Sequence, residues 1–89
     1  MVTKTRAAII VEYGKPLAVD EIVLKDPGDS EVLVKFIASG ICHSQLHAIN
    51  STKVKTPSLL GHEGTGLVVK TGKNVSHIKE GDHCIITWV

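Results

Sequence analysis

A mainly β fold, a small barrel-like module carrying one short helix, is what this sequence predicts, and three observations predict it. Short runs rich in Val, Ile and Leu recur between clusters of Gly, Pro, Asn and Asp, which is the punctuation of strands and turns. The two-residue periodicity breaks once, after Ser39-Gly40, where a helix-like segment from Cys42 to Ile49 begins. The 89 residues are 43% apolar yet hold one Phe, one Tyr and one Trp, so an aliphatic core is expected. That length allows one domain, near the size at which a single core is only marginally adequate.

Arg6 to Tyr13 is an apolar run with β-branched residues, closed by Gly14-Lys15-Pro16, and reads as a strand and turn. Leu17 to Leu24 is the return strand of a hairpin-like opening. Asp26-Pro27-Gly28-Asp29 is a turn in which Pro fixes its own φ and Gly is free to take positive φ. Glu31 to Ala38 carries apolar residues on both faces and is expected to be well buried. Asn50 to Ser58 is polar and reads as an exposed loop. Leu67-Val68-Val69 continues the Gly61-to-Gly66 stretch as a strand, Val75 to Glu80 is a connection containing an exposed His77, and Gly81-Asp82 introduces a last strand from His83 to Trp88. Along that strand His83 and Cys84 point to opposite faces, which assigns Cys84 to the core and His83 to the surface. No repeat or low-complexity tract is present.

Chemistry-bearing residues gather in two places. Gly40-Ile41-Cys42-His43-Ser44-Gln45-Leu46-His47 puts a thiol, two imidazoles and a hydroxyl into little more than one helical turn. If Cys42 opens the helix, its sulfur lies near unpaired backbone N–H groups and the positive end of the helix dipole, which favours a thiolate, the metal-binding form. Gly61-His62-Glu63-Gly64 places an imidazole beside a carboxylate. Cys42 and His62 are therefore candidate ligands of one zinc ion. Taken alone, Cys42 is better read as a small apolar core residue, and only its neighbours His43, Ser44 and His47, poor choices for a core, favour the metal reading; its separation from His62 matches no compact zinc-finger spacing. Three close glycines, Gly61, Gly64 and Gly66, suggest tight backbone approach or a bulge. They do not form a G-x-G-x-x-G phosphate loop, and strand rather than helix follows them.

Composition narrows the partners. A formal net charge of +1 gives no electrostatic case for nucleic acid or for a polybasic membrane contact. No apolar run approaches transmembrane length, and Met1 to Arg6 leads into only five apolar residues, too few for a secretory signal. A cytoplasmic protein with both cysteines reduced is expected.

Ser39-Gly40-Ile41-Cys42-His43-Ser44, Gly61-His62-Glu63-Gly64-Thr65-Gly66 and Gly81-Asp82-His83, together with the opening hairpin and Pro27-Gly28 to Val34, resemble successive signatures of the medium-chain zinc-dependent alcohol dehydrogenases. The resemblance spans nearly the whole chain and implies the N-terminal part of the GroES-like catalytic domain. It implies Cys42 and His62 as two of three protein ligands of a catalytic zinc, with Glu63 an acidic neighbour able to approach the metal from outside the ligand set. Ser44 matches the hydroxyl that takes the alcohol proton and His47 the base that passes it toward solvent. His43 falls where the family holds the pyrophosphate of NAD(P). The implied reaction takes a small alcohol to an aldehyde or ketone by hydride transfer to a nicotinamide, with the zinc polarising the substrate oxygen.

Three departures from the family pattern follow. Gln45 stands where the family has an Asp that braces the zinc-bound histidine, and loss of such a partner typically costs about 10 to 100-fold in affinity or activity. The third zinc ligand, the structural-zinc lobe and the dinucleotide-binding domain are missing, so residues 1–89 are expected to form a partial domain that is inactive alone. Unpaired strand edges in such a piece favour self-association. His43 carries less charge to the phosphates than an arginine would. A stand-alone GroES-like module used for assembly or partner binding, without catalysis, is the alternative, and a thiol or metal-binding module that completes its zinc across a dimer is a third reading.

Overall fold

The computed structural model describes residues 2–87. Its elements are β1 (Val2–Ile9), β2 (Ala18–Lys25), β3 (Val32–Ser39), α1 (His43–Ile49), β4 (Gly64–Thr71) and β5 (His83–Ile86). The mainly β expectation with one short helix is met. Strands β1 and β2 form a two-stranded sheet, and β3, β4 and β5 form a three-stranded one in that order. The strands are not closed into a barrel among the described residues: closure needs one uninterrupted ring of ladders, and these ladders fall into two separate sets. Among the described residues no helix is long and apolar enough to cross a membrane.

The chain divides into two compact units, one built from Lys25–Gly40 and the described residues from His62 onward, the other from Val2–Leu24 and Ile41–Gly61. In the first, β4 is the central strand, antiparallel to both neighbours. Val68 in its middle is 1% exposed. The β3–β4 register is irregular between Leu33 and Val34 and again between Phe36 and Ala38. Opposite the second irregularity lies Gly66, whose Cα is so close to the Lys35 carbonyl and the Val34 side chain that a Cβ there would overlap both. The glycine cluster thus does mark a bulged, tightly approached ladder.

Both ends of this unit are tied by the turns that the sequence announces. Glu31 Oε1 accepts from the Gly28 N–H at 2.8 Å, closing the Pro-Gly turn. The Glu31 carbonyl then accepts from Gly72 N–H at 2.8 Å and the Asp29 carbonyl from Asn74 N–H at 2.8 Å, while Lys70 reaches Asp26 at 3.0 Å. Before β5, Asp82 Oδ2 accepts from the Lys79 N–H at 2.9 Å. Gly81, at φ +90°, supplies the left-handed backbone that returns the chain, so that Val68 N–H donates to the Asp82 carbonyl at 2.9 Å and Gly81 N–H to the Val68 carbonyl at 2.8 Å.

The second unit holds the β1–β2 pair, a two-way backbone bridge between Ile10 and Ser58 (2.9 and 3.0 Å) and helix α1. Ile10, 4% exposed, is the other buried apolar residue among those described.

Four expectations need correction. The first strand runs Val2–Ile9 rather than Arg6 to Tyr13: Val2, Thr3 and Thr5 are themselves good strand formers, whereas Val11 and Tyr13 are exposed in the loop that follows. The third strand is not well buried. Phe36 is 59% and Ile37 63% exposed, because β3 is an edge strand with β4 as its one sheet neighbour and its two register shifts interrupt the alternation that would aim one face at a core. The last strand ends at Ile86, and Trp88 lies outside the described residues. His83, His77 and most of the loop from Asn50 to Ser58 are exposed, as expected, whereas Cys84, expected in the core, is only half-buried, because β5 is an edge strand with β4 as its one sheet neighbour.

Replacing Gly66 by Ala forces a methyl group into the β3 backbone, and overpacking of this kind costs roughly 1–3 kcal/mol. The expected outcome for Gly66→Ala is a lower urea midpoint with an unchanged slope. As a control at an exposed loop position, Val11→Ala is expected to shift stability by less than about 0.5 kcal/mol.

Candidate functional site

The residues singled out by their chemistry fall on two short segments, one in each unit. In the unit that contains α1, Cys42 is the N-cap, with extended backbone (φ −108°, ψ 148°). Its carbonyl accepts from the Gln45 N–H at 3.0 Å, starting the helix. Gln45 returns the contact: its Oε1 accepts from the Cys42 N–H at 2.8 Å. The Gln45 side chain, at the third helical position, thus supplies the return half of a capping box. The backbone of Cys42 is therefore held from both sides by one residue, and its half-buried thiol is a free cysteine.

The same unit ends at Gly61, whose φ of +135° is a conformation that side-chain-bearing residues rarely adopt. A Cβ at Gly61 would also lie 3.2 Å from Gln45 Nε2. Gln45 thus faces Cys42 with its carbonyl and the Gly61 backbone with its amide nitrogen. Along α1, His43 and His47 stack edge to face, with ring centroids 4.7 Å apart and planes at 79°. Both are exposed, as is Ser44 between them. Ile41, Cys42, His43, Gln45, Leu46 and Ile49 line a shallow, largely apolar hollow on this segment.

In the three-stranded unit, His62 and Glu63 immediately precede β4. His62 is mostly covered and Glu63 half-exposed, and His62 Nε2 lies 3.8 Å from Glu63 Oε2, too long for a hydrogen bond and short enough for mutual electrostatic influence. The end of β3 fixes this pair. Ser39 pairs with Gly64 in the ladder, and Ser39 Oγ donates to the Glu63 carbonyl at 2.9 Å. Gly40 packs against the Glu63 side chain so closely that a Cβ would fall 2.5 Å from Oε1.

Cys42, His43, Ser44 and His47 are thus together on the start of one helix, and His62 and Glu63 together at the start of one strand. The sequence did not disclose Gln45 as the acceptor for the Cys42 N–H, although the three-residue spacing from an N-cap to Gln is its signal. Nor did it disclose Ser39 as the tether of Glu63, for which a serine at a strand end gives no distinctive sign.

Comparison with known proteins adds a second line of observation. Residues 28–89 match the family model of the alcohol dehydrogenase GroES-like domain. An alcohol dehydrogenase from Moraxella sp. (strain TAE123) is 40% identical over 87 residues, which are 94% of this chain and 26% of that protein. Among solved structures, an alcohol dehydrogenase zinc-binding domain protein from Burkholderia ambifaria superposes with a TM-score of 0.88 at 34% identity, covering 93% of this chain and 23% of the other. CAD from Helicobacter pylori, in complex with NADP(H), gives 0.87 at 26% identity, covering 98% and 26%. The chain therefore spans about a quarter of the length of the proteins it matches.

Removing the Gln45 acceptor leaves the Cys42 N–H without its partner, which costs about 0.5–1.5 kcal/mol. Gln45→Ala is expected to lower both the urea midpoint and the helical far-ultraviolet signal, and Gln45→Glu, which keeps an acceptor of the same length, to retain most of both.

Proposed function

Because the chain belongs to the alcohol dehydrogenase GroES-like domain family, we propose that it supplies the N-terminal catalytic-domain segment of a medium-chain, zinc-dependent, NAD(P)-linked alcohol dehydrogenase acting on a small alcohol or aldehyde in the cytoplasm. One observation carries the proposal. Ser39 pairs with Gly64 and holds the Glu63 carbonyl, so the chain leaves β3 and enters β4 at the same end of one ladder. Covalent reach then keeps Cys42 within about 7 Å of Gly40, and His62 about 3.8 Å from Glu63, Cα to Cα.

Cys42 and His62 are proposed as two ligands of the zinc, with Glu63 beside them. A soft thiolate and a borderline imidazole are the donors zinc favours, and a third protein ligand would come from elsewhere in a longer protein. Zinc, when bound, would supply Lewis acidity toward the oxygen of an alcohol. The chain's own part is positional and protonic. Gln45 orients the Cys42 backbone, and the Ser39–Glu63 tether orients the strand start that carries His62. Ser44, exposed beside Cys42, accepts the substrate proton, and His47, one turn further along α1, passes it to solvent. His43 contributes to holding the cofactor phosphates.

A second reading has its own support. Phe36, Ile37 and Ile85 are strongly exposed, and β3 and β5 are the edges of their sheet. These are features of a module that covers itself with another polypeptide or a second copy, so self-association or partner binding without catalysis is the alternative.

Titration of the 89-residue chain with Co²⁺ in place of zinc tests the leading proposal. Thiolate-to-cobalt charge transfer in the near ultraviolet is expected, weak in affinity, abolished by Cys42→Ser and weakened at least tenfold by His62→Asn. A band that survives Cys42→Ser, and so arises from Cys84, overturns the ligand assignment. The same chain given zinc, NAD(P) and a panel of alcohols is expected to show no turnover, and robust turnover would refute its being one part of a catalytic unit. Light scattering over a concentration series is expected to show association, and a strict monomer removes that part of the alternative.

A further inference from the structure

We propose that His43 and His47 form a second, solvent-facing metal site, a two-imidazole chelate for a borderline divalent transition ion such as Ni²⁺ or Cu²⁺, independent of Cys42 and His62. Residues four apart on a helix lie above one another on the same face, and two histidines at that spacing are a known way of presenting imidazoles to a metal. The ring centroids here are 4.7 Å apart. Two metal–nitrogen bonds of about 2.0–2.1 Å set an upper limit of roughly 4.2 Å on the separation of the donor nitrogens. Centroids 4.7 Å apart leave that separation within reach of side-chain rotation on a fixed backbone.

The edge-to-face angle of 79° needs only a turn about the last side-chain torsion to aim one nitrogen of each ring at a shared point. That torsion is broad for histidine, and both side chains are exposed. Exposure also leaves the remaining coordination positions to water, as an open two-ligand site requires. Imidazole donors suit copper, nickel and zinc, and among these copper is bound most tightly for a given ligand set. Seven residues make a helix that is marginal without tertiary support. An ion that spans one of its turns binds the helical form alone and so stabilises it. Under the functional reading above, such an ion would also withdraw both imidazoles from their roles in proton passage and phosphate binding.

The test is calorimetric titration of the 89-residue chain with Ni²⁺, which does not oxidise the thiols, followed by far-ultraviolet circular dichroism. The expected result is binding that falls at least tenfold in His43→Asn and equally in His47→Asn, is unchanged in His77→Asn and His83→Asn, and survives in the Cys42→Ser/His62→Asn double variant. The helical signal should rise with Ni²⁺ in the parent and not in His47→Asn. Unchanged affinity in the His43→Asn/His47→Asn double variant, or loss of binding in Cys42→Ser/His62→Asn, overturns the proposal. The latter result would leave the zinc assignment standing, because that rests on the cobalt–thiolate band and not on this pair.

Discussion

The pairing of Ser39 with Gly64 is the constraint on which the rest depends. It ends one ladder, and the Ser39 hydroxyl reinforces it through the Glu63 carbonyl at 2.9 Å. Every residue with proposed chemistry lies just beyond this closure on one arm or the other: Cys42, His43, Ser44 and His47 on the way out, His62 and Glu63 on the way back. A slip of one residue in β3–β4 would turn successive side chains to opposite faces. The tight packing at Gly40 and Gly66 reads as the device that forbids such a slip, since no other residue fits at either position without displacing its neighbour.

Much of this was legible in the sequence, and the places where reading failed share a cause. A turn after Pro27, which falls at Gly28 to Glu31, two residues later than the sequence suggests, the second and third strands to within a residue, and the start of a helix at Cys42 all rest on local chemistry, turn-forming residues or the loss of a two-residue period, and local chemistry acts before tertiary contacts are known. The burial of β3 is a tertiary property. It depends on how many strands lie beside Phe36 and Ile37 and on where the bulges fall, neither of which a pattern of apolar residues reveals. That the strands do not close into one ring among the described residues is likewise a tertiary property. At the first strand, apolar content was weighed above the β-propensity of Thr3 and Thr5, and the strand was placed four residues late.

The site shows the same division. Cys42, His43, Ser44, His47, His62 and Glu63 stand out in the sequence because their side chains are poor choices for a core. Gln45 is the instructive case: compared with the family pattern it is a missing carboxylate, whereas in the structure its oxygen accepts the Cys42 N–H. An amide serves that purpose and brings no negative charge beside the thiol. The residue therefore has a part in how α1 begins that the family pattern alone does not reveal.

The hydrogen bond between Ser39 and Glu63 joins residues 24 apart in sequence, and this has a kinetic side. Joining the ends of a loop of that length costs about 2.8 kcal/mol of chain entropy, and non-local contacts of this kind slow folding relative to local ones. The turns at Gly28 and Asp82 and the single helix can form early, but the junction between β3 and β4 must wait for a search through many loop conformations. The strand start that carries His62 and Glu63 is consequently among the last parts of its own unit to acquire a fixed position.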